Sequence, residues 1–311
     1  MAPREFDLLA VGRPSVDVIF SGLSEWPRLG LDVDAAGLAT CAGTSFNTPA
    51  AAHRLGLRVG YVALVGSDSW SQIVLREFER EGLPTDFLRL ADHPLPFVSV
   101  ALNHDHDRGF VTFYEPAPGD EAELARRARD VLSAVPARHF HAYAGDEPTE
   151  LIALARERGM TVSLDAWGGP FWEVPDAIGD VVADADILLA NEAEALAMVG
   201  EKDLRSAILR LAELCRCVVV KRGQRGAMAV MGGEVVDVPP EPAHVLDATG
   251  AGDCFNAGFL FGWLAGKPLT ECVVLANICG ARAVQAFGGY RGCPGRDEFR
   301  RLAASRGIPL P

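Results

Sequence analysis

Lysine is almost missing from this chain: Lys202, Lys221 and Lys267 are the only ones among 29 basic residues, and arginine supplies the rest. Alanine is abundant too, so the bias reads first as a coding preference, and it makes a lysine at a motif position more telling. Basic residues are in turn outnumbered by 42 acidic ones, giving a formal net charge of −13. That balance argues against nucleic acid as the main partner, because a phosphate backbone needs a basic face. A small phosphorylated ligand stays open, since a metal ion, a helix N-terminus and a few arginines hold one locally. The seven cysteines, at 41, 215, 217, 254, 272, 279 and 293, form no C-x-x-C pair. Neither a disulfide framework nor a zinc knuckle is indicated, and buried thiols in a reducing compartment are expected. No apolar run approaches the roughly 18 residues needed to span a bilayer. The opening MAPREFDLLAVG lacks the long apolar stretch of a signal peptide. A cytoplasmic protein without a membrane partner is the expectation. G-x-x-x-x-G-K-[ST], H-E-x-x-H and G-x-S-x-G are all missing, and no glycine cluster has the G-x-G-x-x-G spacing of a dinucleotide site.

What is present is ordinary globular material, 49% hydrophobic and 23% charged over 311 residues. That length allows two domains or one large α/β domain with an insertion. Apolar, β-leaning runs at 6–11, 58–65, 139–143, 161–165, 187–190 and 217–221 alternate with helical patterns. The helical patterns fall at 47–55, 69–81, 121–132, 149–158 and 206–214, and two long ones close the chain at 251–265 and 269–287. Such alternation predicts a mostly parallel sheet covered by helices on both faces. One stretch breaks the rhythm: FVSVALNHDHDRGFVTFY at 97–114 reads as a hairpin with no helix attached. A lid over a site and a dimer contact are both open for it, and the two are compatible.

The segment carrying most chemistry is VLDATGAGDCFNAGF at 245–259. A glycine-rich turn opens directly into a helix with Phe255, Phe259 and Trp263 on its apolar side. Gly250 and Gly252 permit a tight turn that exposes backbone N–H groups at the helix N-terminus, where an anion is favoured. Asp253 beside that hole can take a proton from an attacking hydroxyl, so phosphoryl transfer fits. Read alone, Asp253 could equally cap the helix. Similar plain alternatives exist elsewhere: Asn191 with Glu194 could form a capping box, Asn47 could cap its helix, Asp17 could sit in a turn, and Lys221 could snorkel at a strand end. These residues all fall at strand-to-helix junctions, where open α/β sheets bind ligands.

The run Asp247-Ala-Thr249-Gly250-Ala251-Gly252-Asp253 resembles the D-[TS]-[TS]-G-A-G-D signature of the ribokinase-like (PfkB) carbohydrate kinases, departing only at Ala248. Gly12-Arg-Pro-Ser-Val-Asp17 resembles the family's G-x-x-x-x-D, and Ala42-Gly43-Thr-Ser-Phe-Asn47 before Arg54-Leu-Gly56 resembles G-G-x-x-x-N…R-L-G, with Ala42 replacing the first glycine. Gly66-Ser-Asp68 is similar to G-x-D, Asn191-Glu-Ala-Glu194 to N-x-x-E, and Lys221-Arg-Gly223-Gln-Arg-Gly226 to [TK]-x-G-x-x-G. Ala276-Asn277 is similar to an A-N pair on the helix bordering the adenine.

The resemblance spans about residues 6–290 and implies one kinase domain over 1–311, with a β-lid from about 13–36 and 95–115. It implies ATP-dependent phosphorylation of a hydroxyl on a sugar or sugar-like molecule. Asp253 would be the base and Gly250, Ala251 and Gly252 the anion hole. Asp17, Gly43 and Asn47 would hold substrate hydroxyls. Asn191 and Glu194 would place Mg2+, Glu194 through water, and Lys221, Gly223, Gly226 and Asn277 would border the nucleotide. A monovalent cation such as K+ is implied near Asp247 and Thr249, and a homodimer through the lid is compatible. A nucleoside or vitamin kinase of the same fold is the alternative; a silent sugar-binding regulator is a weaker one, since Asp253 is intact.

Two further readings concern specificity. Family members that phosphorylate keto-deoxy sugar acids carry a D-x-N-x-R stretch, where this chain has Trp167 and Gly169 after Asp165. They also carry an arginine after the second lid strand, where this chain has Glu115 following Tyr114. A neutral acceptor is therefore expected, with Arg108 in the lid turn as the one basic residue positioned to contact ligand, whereas Arg126, Arg127 and Arg129 read as a solvated helix face. The pairs His104/His106 and His139/His141 could share strand faces, but no third metal ligand accompanies either, and core or surface roles are expected.

Overall fold

The computed structural model describes residues 6–104, 107–144, 149–166 and 182–310. A nine-stranded sheet runs in the order β13-β12-β11-β10-β9-β8-β1-β4-β5. These strands are β1 (Phe6–Gly12), β4 (Val59–Val65), β5 (Leu88–Leu90), β8 (Ala137–Tyr143), β9 (Thr161–Asp165), β10 (Ile187–Asn191), β11 (Cys217–Lys221), β12 (Ala227–Met231) and β13 (Glu234–Val238). From β11 to β5 every neighbouring pair is parallel, and β12 and β13 add an antiparallel edge. The expected parallel sheet is thus present. The edge hairpin, turning at Gly232 and Gly233 with φ of 58° and 84°, lies beyond the strands expected from alternation with helices. Two consecutive positive φ values are what a two-residue hairpin demands.

Runs such as VGYVALV and ILLA lack polar alternation because both faces of the sheet are buried. Strand geometry sends successive side chains to opposite faces. Leu8, Ala10, Leu189 and Val219 therefore join one core with the helices Asn47–Arg54, Ala251–Leu264 and Leu269–Ala283. Leu9, Val11, Leu188 and Val218 join a second core under Asp120–Ala134, Thr149–Glu157 and Leu204–Leu214. The helix Ala251–Leu264 is apolar almost all round, with Phe259 and Leu260 fully buried. Each such side chain contributes roughly 1.5–3 kcal/mol. Its N-terminus is thereby held firmly at the edge of the sheet. Among the described residues no helix is long and apolar enough to cross a membrane.

A four-stranded sheet projects from this body in the order β3-β2-β6-β7, with β2 Pro14–Ser21, β3 Gly37–Thr44, β6 Phe97–His104 and β7 Asp107–Tyr114. The hairpin β6–β7 is the one expected at 97–114 and packs β6 parallel to β2. The N-terminal part differs from the expected 13–36. It includes β3, whose sequence GLATCAGT is too small and glycine-rich to signal a strand, while 22–36 is largely exposed and without strands. Asp68 anchors the junction of lid and body. It caps the Ser69–Glu81 helix through the N–H groups of Trp70 and Ser71, and its other oxygen accepts from Leu95 N at 2.9 Å.

Candidate active site

Tyr143, Asp165, Asn191 and Lys221 are the last residues of their parallel strands, so sheet register gathers them at one edge, with Tyr143 opposite Asp165 and Asn191 opposite Lys221. The Gly250 turn and the start of the Ala251–Leu264 helix lie over this edge. Gly250 has φ 69° and packs so closely that a Cβ there would stand 2.7 Å from Gly289 Cα. No other residue keeps this turn. The N–H groups of the first helical turn lack intrahelical acceptors, which makes the Gly250–Gly252 segment able to receive an anion.

Asp253, in that first turn, is held from three sides. Asn47 Nδ2 donates to Oδ2 at 3.1 Å, and Thr48 Oγ1 and the Tyr143 hydroxyl donate to Oδ1 at 3.2 and 3.4 Å. Burial, with the Asp165 carboxylate adding, pushes Asp253 up to about 6, while Lys221, Asn47 and Thr48 restrain the rise. A carboxylate so raised is a better proton acceptor that is still ionised near neutral pH. Burial also raises the Tyr143 phenol, so it stays a donor.

Across a cavity of about 330 Å3 stands Asp17 of the lid. Ser15 donates to it at 2.9 Å, and its carboxylate lies flat on Gly43, where a Cβ would stand 2.1 Å from Oδ2. Gly43 thus makes room for Asp17. Burial pushes Asp17 up to about 7, with Ser15 opposing and Asp253 and Asp247 adding. Thr249, Gly250 and Asp253 form the cavity floor, Asn47 and Tyr143 the body wall, and Thr44, Phe97, Ser99, Phe110 and Thr112 join Asp17 on the lid side. Asn47 Oδ1 and Thr249 Oγ1 are buried without a partner.

Other expected site residues have partners of their own. Asn191 and Glu194 complete a capping box: Asn191 Oδ1 accepts from Glu194 N at 2.9 Å, and Glu194 Oε2 from Asn191 N at 2.7 Å. Lys221 reaches Asp165 and Asn256. Gly223 and Gly226 shape a tight turn after β11, with φ of 56° and 76°. Asn277 donates to Pro239 O at 2.9 Å, joining the Leu269–Ala283 helix to the loop after β13. Both Asp247 oxygens are engaged, by Thr249 N at 2.9 Å and Gly288 N at 3.1 Å. Arg108 belongs to β7, but its side chain lies outside the described residues, as do His106, Trp167 and Gly169.

His139 and His141 are core residues bonded to Thr161 and Ser163, and burial pushes them down to about 3 and about 4. Thr48, Tyr143 and Asn256 carry no expectation from the sequence, and Asp165 enters it only as the start of the stretch compared with D-x-N-x-R. The one signal in the sequence was the position of Tyr143 and Asp165 at strand ends.

A buried carboxylate beside a glycine turn at a helix N-terminus, facing a cavity under a small sheet, is an arrangement suited to phosphoryl transfer to an alcohol. The pattern of the pfkB family of carbohydrate kinases matches residues 36–295, and the chain belongs to that family. It is 32% identical over 249 residues to an uncharacterized sugar kinase of Archaeoglobus fulgidus, covering 78% of this chain and 97% of the relative. It is 25% identical over 298 residues to a cytidine kinase of Thermococcus kodakarensis, covering 91% of this chain and 98% of the relative. Among solved structures, Arabidopsis thaliana ribokinase complexed with ribose and ATP superposes with a TM-score of 0.75 at 22% identity, covering 96% of this chain and 98% of that one.

Proposed function

We propose that the chain transfers the γ-phosphoryl group of ATP to a hydroxyl of a neutral sugar or nucleoside. The carrying observation is the placement of Asp253, anchored by Asn47 and Thr48, between the Gly250–Gly252 turn and the cavity faced by Asp17. The acceptor oxygen attacks the γ-phosphorus while its proton passes to the Asp253 carboxylate. The new O–P bond forms as the bond to the β-γ bridging oxygen breaks, and ADP leaves. The Gly250, Ala251 and Gly252 backbone would stabilise the charge on the transferring group. Asp17 and the unpartnered Asn47 Oδ1 would hold acceptor hydroxyls, with Gly43 as backing.

Lys221, the Gly223–Gly226 turn and Asn277 would border the nucleotide. Mg2+ would neutralise phosphate charge, with the Glu194 carboxylate approaching it through water and Asn191 fixing that side chain. A monovalent cation such as K+ would meet the partnerless Thr249 Oγ1, while Asp247 braces the same turn through two N–H groups.

The described residues lining the cavity include two carboxylates and no basic side chain, which supports a neutral acceptor over a sugar acid. Phe97 and Phe110 favour, within that class, a nucleoside as the second reading beside a simple sugar, because their rings offer a planar base a stacking surface. ADP release measured over neutral sugars, nucleosides, a vitamin alcohol and 2-keto-3-deoxygluconate tests this. Preference for the acid overturns the neutral-acceptor reading, and no transfer to any acceptor overturns the kinase reading. The lid's outer face, with Leu38, Val111 and Phe113 exposed, would join two copies as a homodimer.

A further inference from the structure

Behind the Gly250–Gly252 turn, and away from the acceptor cavity, three polar side chains close a triangle. Lys221 Nζ lies 3.3 and 3.4 Å from the Asp165 carboxylate oxygens and donates to Asn256 Oδ1 at 3.2 Å. Asn256 Nδ2 donates in turn to Asp165 Oδ2. The corners come from the ends of β9 and β11 and from the helix that carries Asp253. Asn256 is fully buried, and the side chains of Asp165 and Lys221 retain 8% and 14% exposure. A buried ion pair seldom stabilises a fold more than apolar packing of the same volume, so packing alone does not account for it.

The direction of the ammonium does. A Cβ on Gly252 would stand 3.5 Å from Lys221 Nζ, which places the charge against the backbone of the anion hole. Burial pulls Lys221 down, but the Asp165, Glu194 and Asp253 carboxylates more than offset it, so the ammonium stays charged. In a chain with three lysines, one is fixed here.

On the phosphoryl-transfer reading above, we infer that Lys221 presents its charge to the transferring phosphoryl group from beneath the Gly250–Gly252 turn, and that Asp165 and Asn256 are positioning residues holding it there. A fixed cation at this point needs no rearrangement as negative charge redistributes in the transition state. Neither positioning residue lines the acceptor cavity, and at pH 8, where Asp253 is ionised with or without the nearby Asp165 carboxylate, the effect of each on kcat runs through Lys221.

A double-mutant cycle on kcat, run at pH 8 with the full chain and its best acceptor, separates this from a purely structural triangle. Lys221→Met should lower kcat roughly 10²–10³-fold, the scale of losing one preorganised donor. Asp165→Asn should lower it about tenfold or more with the acceptor KM little changed. The double variant should be no slower than Lys221→Met alone, because Asp165 has nothing left to position. Losses that multiply, or a Lys221→Met enzyme within about twofold of the parent, overturn the inference. If Asp165→Asn loses its thermal unfolding transition, Asn256→Ala takes its place in the same cycle. A parent enzyme inactive on every acceptor overturns the kinase reading and this inference together, whereas multiplying losses in an active parent overturn this inference alone.

Discussion

Asn47 Nδ2 donates to Asp253 Oδ2 across 3.1 Å, joining the first residue of one helix to the first turn of another 206 positions later. The bond aims the carboxylate and favours its charged form. Replacing Asn47 with Ala removes a donor to the ionised state, so the Asp253 pKa should climb above its present value of about 6. The acid limb of kcat/KM, where activity is lost as pH falls, should then move to higher pH. A limb that stays in place shows that Asn47 does not tune the base.

Asp253→Asn keeps the shape of the side chain and cannot accept a proton. Turnover should fall about 10²–10⁴-fold while ATP affinity, measured by calorimetry, stays near that of the parent. Retention of a third of kcat removes Asp253 from the role of base.

Glu194→Gln preserves an acceptor for the Asn191 N–H, so the capping box survives in outline. Loss of the carboxylate charge should raise the Mg2+ concentration needed for half-maximal rate. An unchanged titration with a lowered Tm would mean that helix capping is the whole role of this pair.

Gly250→Ala forces a side chain into left-handed backbone against Gly289. The conformation alone costs about 1–2 kcal/mol, and the contact adds to it. Thermal unfolding should begin several degrees lower, and phosphoryl transfer should fall with the distorted turn. A Tm within a degree of the parent contradicts the strain assigned here.

Phe113 is 54% exposed on the outer lid face. Phe113→Glu should shift sedimentation from dimer to monomer. A monomeric parent at micromolar concentration rules the lid interface out.

The parallel sheet and the Asp247–Asp253 segment were legible in the sequence because each is local: apolar runs mark strands, and glycines beside an acid mark the turn. Apart from Asn47, the surroundings of Asp253 were not. Thr48, Tyr143 and Asp165 come from three distant segments, and only the pairing of β8 with β9 and the packing of the Asn47–Arg54 helix bring them within reach. Strand β3 escaped notice because alanine, glycine and threonine carry a weak strand signal, although its small residues are what let Asp17 lie flat on Gly43. Asn191 and Glu194 show a different limit. Their spacing describes a capping box and an ion-placing pair equally well, and the box is formed.

The two carboxylates of the cavity stand on different parts of the fold, Asp17 on a strand of the small sheet and Asp253 in the first turn of a helix packed on the large one. An acceptor gripping both would act as the missing piece of its own enclosure. On the proposed reading, the division would tie enclosure of the site to an acceptor long enough to reach both parts of the fold.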